Sequence, residues 1–289
     1  MSDFIQREHQ LKGAEGRPFT LDYTLLDDGK TDKPLIVFCH GFKGFKDWGH
    51  WGETGKAFAR EGFAFVKFNF SHNGTTPETP LDFSDLDAFG RNTYSKELYD
   101  LQVVLDWLYE GKGLPSGLID SKRICLSGHS RGGGIAILQA ARDKRIGALA
   151  TWASVARLDY SWQHPELIEK WEREGVIHAY NGRTKQQMPL YFELYRDFQA
   201  HKEEYDCCRA AASLQIPMLI VHGTEDPAVS VQAAKELKAC QPAAEPVFIE
   251  GADHVFGGRH PWTEGERLPA PTLELIRRQT DFLRKHRLA

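Results

Sequence analysis

The sequence lacks long apolar runs and dense clusters of basic residues. No stretch approaches the roughly 20 consecutive apolar residues of a membrane-spanning helix, so we predict no membrane association. The chain carries 36 basic and 40 acidic residues, for a net charge of −4. We expect no nucleic-acid partner, because phosphate binding depends on clustered Lys and Arg side chains. The first residues, MSDFIQREHQLKG, lack the apolar segment of a secretory signal.

Cysteine is scarce, with five in the whole chain. Cys39 and Cys125 lie in apolar, strand-like runs, and we interpret them as reduced thiols of the core. An odd number of cysteines favours a cytoplasmic protein, because disulfides are rare in that compartment. A glycine motif that would cradle phosphate is also missing. His254 and His260 have no third ligand at a suitable spacing for a metal, so we predict neither a metal nor a cofactor.

The 289 residues, 41% of them apolar, suit a globular protein with a sizeable core. Apolar runs alternate with helical patterns, which indicates an α/β protein with a mostly parallel central sheet flanked by helices. Leucines at helical spacing predict a helix around residues 98–108, and another follows Pro271. Two antiparallel strands, within residues 4–11 and at 20–26, are expected to lead into the sheet. Buried strands are predicted at 35–39, 63–70, 123–127, 148–153, 218–221 and 246–250.

Residues 157–212 break this alternation, because the segment is polar, rich in aromatic residues and longer than an ordinary connection. We interpret it as a small inserted cap over the active site, and the core as residues 1–156 and 213–289. A surface decoration or a dimer contact is the alternative. Within the cap we predict helices at 165–174 and 190–204, and a hairpin whose strands, 176–180 and 183–187, flank Asn181-Gly182.

The most informative segment is ICLSGHSRGGG at positions 124–134. An apolar run leads into GHSRG, which matches G-x-S-x-G, and small residues compatible with a helix follow. A serine nucleophile stands on a very tight strand-to-helix turn, and the flanking glycines remove Cβ atoms that would collide there. The new helix directs its free N–H groups to the same place. We therefore predict Ser130 as the nucleophile; the alternative is an incidental serine at a strand–helix corner.

The nucleophile needs a general base and a carboxylate that orients the base. His254 follows the end of a late predicted strand, from which it can reach across the carboxyl edge of the sheet toward Ser130. Asp226 lies just past the end of another strand, which gives the chain order Ser…Asp…His. Glu225 is the nearest rival for the carboxylate, and Asp159 is a weaker one. The alternative interpretation is that His254 is an ordinary loop histidine and that Asp226 stabilises a turn before Pro227.

A tetrahedral intermediate needs hydrogen-bond donors for its oxyanion. We assign one donor to the backbone N–H of Arg131, which directly follows the nucleophile. The other is the N–H of Phe42, in the loop after the predicted strand 35–39. Gly41 gives this loop the freedom to turn the Phe42 N–H toward the developing charge. His40 is expected to brace the loop and is not assigned as the base.

Together these pieces resemble the α/β-hydrolase superfamily over nearly the whole chain. Within it, the chain is similar to bacterial feruloyl (cinnamoyl) esterases and dienelactone-hydrolase-like esterases. The resemblance implies an α/β-hydrolase fold with a small cap, a Ser130–His254–Asp226 triad and an acyl-enzyme. The chain departs from the feruloyl esterases at Arg131, where they more often carry Gln, and in FSHN at positions 70–73. The matching segments are HGFKG (40–44), FNFSHNG (68–74), GHSRG (128–132), HGTED (222–226) and ADHVF (252–256).

The predicted function is hydrolysis of a small-molecule carboxylic ester through an acyl-enzyme on Ser130. A serine peptidase or amidase of the prolyl-oligopeptidase type would share the triad, and a non-catalytic binding protein on a hydrolase scaffold is a further alternative. The acyl and alcohol groups do not follow from the sequence, and neither does the choice between monomer and homodimer. The side chains predicted to contact substrate are Trp48, His72, Trp162, Tyr180 and Tyr191.

Overall fold

The computed structural model describes residues 4–160, 162 and 164–288. The strands in this range are β1 (Phe4–Lys12), β2 (Pro18–Leu26), β3 (Lys33–Cys39), β4 (Ala64–Phe68), β5 (Ile119–His129), β6 (Ile146–Trp152), β7 (Val176–Asn181), β8 (Gln186–Tyr191), β9 (Met218–Gly223) and β10 (Glu245–Ile249). The helices are α1 (Trp51–Arg60), α2 (Leu86–Gly90), α3 (Tyr94–Tyr109), α4 (Arg131–Arg142), α5 (Pro165–Glu174), α6 (Glu193–Ala200), α7 (Cys207–Ser213), α8 (Gln232–Cys240) and α9 (Ala270–Lys285). No helix in the described range is both long enough and apolar enough to cross a membrane.

Within these residues, eight strands form one sheet in the order β1-β2-β4-β3-β5-β6-β9-β10. Neighbours from β4 to β10 run parallel, whereas β1 pairs antiparallel with β2, and β2 antiparallel with β4. The predicted mostly parallel sheet is confirmed, as is the antiparallel pair at its beginning. Because their strands are parallel, the carboxyl ends of β3, β5, β9 and β10 meet at one edge, where their loops can gather functional groups.

Both faces of the sheet are covered by helices. Alternate side chains of β3 enter two different cores, with Leu35 and Val37 in one and Ile36 and Phe38 in the other. Helices α3 and α4 contribute to the first core, and α1 and α9 to the second. A strand that is buried on both faces needs apolar residues at successive positions, which explains the continuous apolar run that predicted this strand.

The chain between β6 and β9 forms the segment predicted as a cap. Helix α5 lies at its predicted residues: Pro165 begins it, and Gly175, with a φ of 74°, follows its end. Helix α7, at the other end of the segment, packs against α4 and α8 of the core. The boundaries at 157 and 212 stay a prediction. An aromatic cluster packs the segment against Tyr94 of α3; its members are Trp162, Trp171, Phe192, Tyr195, Phe198 and Tyr205.

The hairpin turn differs from the prediction. Asn181 pairs directly with Gln186, so residues 182–185 form the loop, and the strand predicted at 183–187 is wrong in its bounds, which are Gln186–Tyr191. The Asn181 side-chain oxygen accepts hydrogen bonds from the N–H groups of Arg183 and Thr184, at 3.2 and 3.4 Å. Lys185 then adopts a φ of 60° and closes the loop. The side chain of Asn181 therefore stabilises a longer turn than the two-residue type that Asn-Gly predicted.

The helix predicted at 190–204 is also wrong in its extent. Leu190 pairs with Ile177 across the hairpin, so β8 continues to Tyr191 and α6 covers only Glu193–Ala200. The apolar spacing of this segment fits both a strand and a helix, and pairing with β7 decides between them.

Three cysteines are buried free thiols, among them Cys39 and Cys125, as predicted. Cys208 of α7 and Cys240 of α8 form a disulfide that spans 32 residues, with Cα atoms 5.3 Å apart. This bond was not predicted. It counts against a cytoplasmic location, since disulfides are rare there, and that location stays a prediction.

Candidate active site

Ser130 lies on the sharp turn between β5 and α4. Its φ of 57° and ψ of −124° are rare for a residue other than glycine and cost about 1–3 kcal/mol. The Ser130 N–H donates to the Trp152 carbonyl of β6 at 2.9 Å, and the Ser130 carbonyl accepts from the Gly133 N–H at 3.0 Å. A Cβ on Gly128 would overlap the Gly132 carbonyl. The strained turn thus depends on these glycines and on its hydrogen bond to β6.

His254 lies in the loop after β10, and Asp226 lies in the loop after β9. The His254 Nδ1 and Asp226 Oδ2 atoms are 2.7 Å apart, and the Asp226 side chain is completely buried. The other Asp226 oxygen accepts hydrogen bonds from the N–H groups of Ala228 and Val229, at 2.8 and 2.9 Å. The carboxylate therefore holds the proton of the neutral His254 ring on Nδ1 and leaves Nε2 as the acceptor.

The environment of Asp226 keeps this carboxyl group ionised. Burial acts to raise its pKa, but hydrogen bonds from His222, His254 and the Val229 N–H outweigh burial and hold the pKa well below its usual range. The His222 Nε2 atom is 2.9 Å from the Val229 carbonyl oxygen and 3.4 Å from Asp226 Oδ2, so its proton is directed mainly to the carbonyl. Asp226 is consequently an anion throughout the pH range in which imidazole titrates.

The two rival carboxylates lie elsewhere. Glu225 is exposed to solvent. Asp159 pairs with Arg157, with an Asp159 oxygen 3.0 Å from the guanidinium. Among these three candidates, the structure brings Asp226 to His254.

Ser130 and His254 line one cavity of about 250 Å³, which we call the catalytic cavity. Among the described residues, no hydrogen bond joins the Ser130 hydroxyl to the His254 ring. Such bonds are often long in enzymes without substrate and shorten when substrate binds. Proton transfer between the two groups therefore needs a change of side-chain rotamer or loop position that brings them within hydrogen-bond distance.

The loop after β3 lies directly against the nucleophile. A Cβ on Gly41 would lie 2.8 Å from the Ser130 Cβ and 3.1 Å from the His129 carbonyl oxygen, so glycine is required. In the part of the chain that the structure describes, the N–H groups of Phe42 and Arg131 have no hydrogen-bond acceptor. Two unused backbone donors next to the serine are what an oxyanion site requires.

The Arg131 side chain forms a buried ion pair behind this loop. Its Nη2 atom is 2.6 Å from Glu97 Oε1, and the two side chains are 8% and 2% exposed. Asn92 donates to the same Glu97 oxygen at 2.7 Å. The guanidinium carbon lies 4.6 Å from the centroid of the Phe42 ring, a cation–π distance. Arg131 thereby joins the Phe42 loop to α3, a contact that the sequence analysis missed.

Two buried histidines brace the site in the neutral state. His129 Nε2 lies 2.8 Å from the His254 carbonyl oxygen, and burial lowers the pKa of His129 to about 3. The His129 and His254 ring centroids are 4.7 Å apart. His40 Nδ1 lies 2.9 Å from the Gly41 carbonyl oxygen, and burial lowers the pKa of His40 to about 4. The role of His129 was missed, because the residue before the serine carries no signal in G-x-S-x-G.

Two of the five predicted substrate contacts line a cavity. Trp48 lines the catalytic cavity. Trp162 lines a second cavity of about 520 Å³ against α5 and the hairpin, and Phe42 lines both cavities. Among the residues that line the catalytic cavity without having been predicted are Lys43, Asn181 and Arg183.

The other three predicted contacts line neither cavity. His72 is buried, with its Nε2 atom 3.3 Å from a Glu15 oxygen. The Tyr191 hydroxyl donates to an Asp87 oxygen at 2.9 Å. Tyr180 is 52% exposed. His72 and Tyr191 therefore interact with acidic residues outside the two cavities, and the Tyr180 side chain is largely in contact with solvent.

Comparison with known proteins gives one family and several similar chains. The model of the alpha/beta hydrolase family matches residues 36–264. An uncharacterized 31.7 kDa protein from the traX-finO intergenic region of Escherichia coli is 30% identical, with 90% of this chain and 94% of the relative covered. Est1E from Butyrivibrio proteoclasticus, also solved with ferulic acid bound, has a TM-score of 0.69 at 18% identity, with 98% of this chain and 99% of that chain covered.

A dienelactone hydrolase-like protein from Klebsiella pneumoniae has a TM-score of 0.62 at 15% identity, and 98% of this chain and 99% of that chain are covered. At these identities the two structures show a shared fold. They include both groups that the motifs resemble. With the family match over most of its length, the chain belongs to the alpha/beta hydrolase family.

Proposed function

We propose that the protein is a serine hydrolase that cleaves carboxylic esters through an acyl-enzyme on Ser130. The observation that carries the proposal is the catalytic cavity, because one space is lined by a serine on a strained turn and a histidine bound to a buried carboxylate. A serine hydroxyl on a strained turn that shares a cavity with an oriented imidazole is the arrangement that nucleophilic acyl transfer needs.

The chemistry assigns one role to each group. His254 Nε2 takes the proton of the Ser130 hydroxyl as its oxygen attacks the ester carbonyl carbon. The N–H groups of Phe42 and Arg131 donate to the oxyanion of the tetrahedral intermediate. The intermediate collapses, and the alcohol leaves with the proton from His254. Water then attacks the acyl-enzyme, again giving a proton to His254, and Ser130 regains that proton as the acid departs.

Two considerations support esters as the substrate class. The fold is similar to Est1E, which binds ferulic acid, and to a dienelactone hydrolase-like protein. The segments that match the esterase groups in sequence also come together in space. They place Phe42, Ser130 and His254 in the wall of the catalytic cavity, and Asp226 is hydrogen-bonded to His254.

The proposal is tested with a fluorophosphonate probe and two series of chromogenic substrates. Wild-type protein should react with the probe, and Ser130→Ala should not. Short-chain acyl 4-nitrophenyl esters should turn over, and Ser130→Ala should lower kcat by about a thousandfold or more. Thermal melting of the variant serves as the control for folding, because alanine removes only the hydroxyl group.

The same experiment separates the alternatives. If aminoacyl 4-nitroanilides turn over faster than esters, the assigned function changes from an esterase to a peptidase or amidase with the same triad. Failure of the folded wild-type protein to react with the probe, together with no turnover, would favour a binding protein on a hydrolase scaffold. Esterase activity that survives in Ser130→Ala would remove Ser130 from the mechanism.

A further inference from the structure

Two cationic side chains from different parts of the chain line the catalytic cavity. Lys43 lies in the loop after β3, two residues beyond Gly41, and Arg183 lies in the turn between β7 and β8. The Lys43 Nζ atom is 3.1 Å from the Tyr180 carbonyl oxygen, so Lys43 also joins its loop to the hairpin. Both cations thus lie in the wall of the space that Ser130 and His254 share.

Neither cation has an acidic partner in the described structure. Among the described residues, no carboxylate oxygen lies within 4.0 Å of Lys43 or Arg183, and no Asp or Glu lines the catalytic cavity. Lys46, three residues after Lys43, shows the contrast, because its ammonium group contacts three carboxylates. Arg183 instead lies against aromatic rings, with its guanidinium carbon 5.7 Å from the centroid of Phe45.

The surroundings do not compensate this charge. Asp82 acts on Arg183 only from a distance and does not line the cavity. His129 in the cavity wall is neutral near pH 7, because burial lowers its pKa to about 3. Burial also lowers the pKa of Lys43, the direction expected for a cation that has lost water without gaining an anion. In the part of the chain that the structure describes, the catalytic cavity therefore presents two cations and no anion to a ligand.

An arginine and a lysine are suited to bind a carboxylate together. The guanidinium group offers paired N–H donors in the geometry of a carboxylate, and the ammonium group adds a compact charge. Hydrogen bonds between such charged groups are shorter and stronger than those between neutral groups. An uncharged substrate would leave both cations without a counter-charge in a partly enclosed space, where charge is costly.

We propose that the ester substrate carries an anionic group, of the carboxylate type, that Arg183 and Lys43 bind. This inference rests on the proposed esterase function. The substrate class is a carboxylate-bearing ester, such as the monoester of a dicarboxylic acid. The anion belongs to either the acyl or the alcohol part, and the test therefore has an arm for each.

The acyl arm compares mono(4-nitrophenyl) adipate with two neutral esters, 4-nitrophenyl hexanoate and methyl 4-nitrophenyl adipate. The alcohol arm compares the butyrate ester of 3-hydroxybenzoate with phenyl butyrate, followed by acid release. Rates of Ser130→Ala are subtracted as background. In at least one arm, kcat/KM for the anionic ester should exceed that for the neutral ester by about tenfold, the size expected of a hydrogen-bonded ion pair.

The variants Arg183→Gln and Lys43→Gln test which residues give this preference. Each should lower the ratio of anionic to neutral kcat/KM by about threefold or more, and the ratio should fall in 0.5 M salt. Arg173→Gln is the matched control, because it removes a charge from the same segment at a side chain that is 71% exposed and outside the catalytic cavity. It should keep the wild-type ratio.

The results also distinguish the two proposals. Equal turnover of anionic and neutral esters in both arms, or a ratio that Arg183→Gln and Lys43→Gln leave unchanged, would overturn the anion site and keep the esterase. No turnover of any ester and no reaction of Ser130 with a fluorophosphonate would overturn the esterase itself.

Discussion

Replacing Arg131 by Gln should destabilise the protein by about 3–5 kcal/mol at pH 8, because it leaves the Glu97 carboxylate buried without its cation. The pair is nearly inaccessible to water, with side-chain exposures of 8% and 2% and a separation of 2.6 Å. Asn92 is the remaining donor to the bonded Glu97 oxygen. For a chain of 289 residues, whose entropy of unfolding is about 0.6 kcal/mol/K, the loss corresponds to a decrease in Tm of roughly 5–8 °C.

The pH dependence of this loss has a definite sign. Burial raises the pKa of Glu97, and Arg131 opposes that effect in the wild type. Without Arg131 the folded-state pKa of Glu97 rises further above its unfolded value, so the folded variant binds more protons than the unfolded chain. The free energy of unfolding of Arg131→Gln should therefore approach that of the wild type as the pH falls from 8 to 5.5.

The control is the double variant Glu97→Gln with Arg131→Gln, in which no charge remains buried. It should recover most of the stability in urea unfolding followed by tryptophan fluorescence. Activity should not recover, because the cation–π contact with Phe42 is still missing, and kcat should stay about tenfold below that of the wild type. If Arg131→Gln and the double variant unfold alike at both pH values, Glu97 is not a buried anion that Arg131 stabilises.

Three further predictions test other parts of the site. Asp226→Asn should lower kcat by about 10⁴-fold, because a carboxamide N–H favours the wrong imidazole tautomer; the exposed neighbour Glu225→Gln is its matched control and should keep the wild-type kcat. Gly41→Ala should lower kcat by about 10²–10³-fold with a small change in KM, since the new Cβ would lie 2.8 Å from the serine Cβ and displace an oxyanion donor; an unchanged kcat would remove this loop from the oxyanion site. Thermal melting should show stability decreasing as the pH falls from 6.5 to 4.5, on the order of 2 to 3 kcal/mol per pH unit. Unfolding takes up protons at histidines whose folded pKa burial lowers, most strongly at three of them, while Asp100, whose pKa burial raises to about 6, and Glu97, whose pKa burial also raises, oppose this uptake. A stability that is flat over this range would contradict the neutral state of these histidines, which are His40, His50 and His129.

Features that depend on nearby residues were predictable from the sequence. The turn at Ser130 needs glycines at fixed offsets, because each flanking glycine lies against backbone atoms in the structure. The central strands were found because burial on both faces demands continuous apolar sequence. The chain order of Ser130, Asp226 and His254 was predicted together with their positions after parallel strands, and the structure shows the Asp226–His254 contact.

Features that depend on distant contacts were missed. Arg131 and Glu97 are 34 residues apart, and nothing in the local pattern of either residue indicates a buried ion pair. The hairpin turn was mispredicted because the side chain of Asn181 binds two backbone N–H groups, which a dipeptide rule does not consider. Arg183 reaches the catalytic cavity only because the hairpin packs over it, and so the sequence alone did not associate Arg183 with the nucleophile.

The most direct test of the account is to trap the acyl-enzyme. The protein is mixed with a 4-nitrophenyl ester, quenched with acid within the first turnovers, digested and analysed by mass spectrometry. We predict one acyl group on the peptide that contains Ser130. Ser130→Ala should show no adduct on that peptide. An acyl group on a different residue, or steady ester turnover with no adduct on Ser130 in the pre-steady state, would contradict the proposed mechanism.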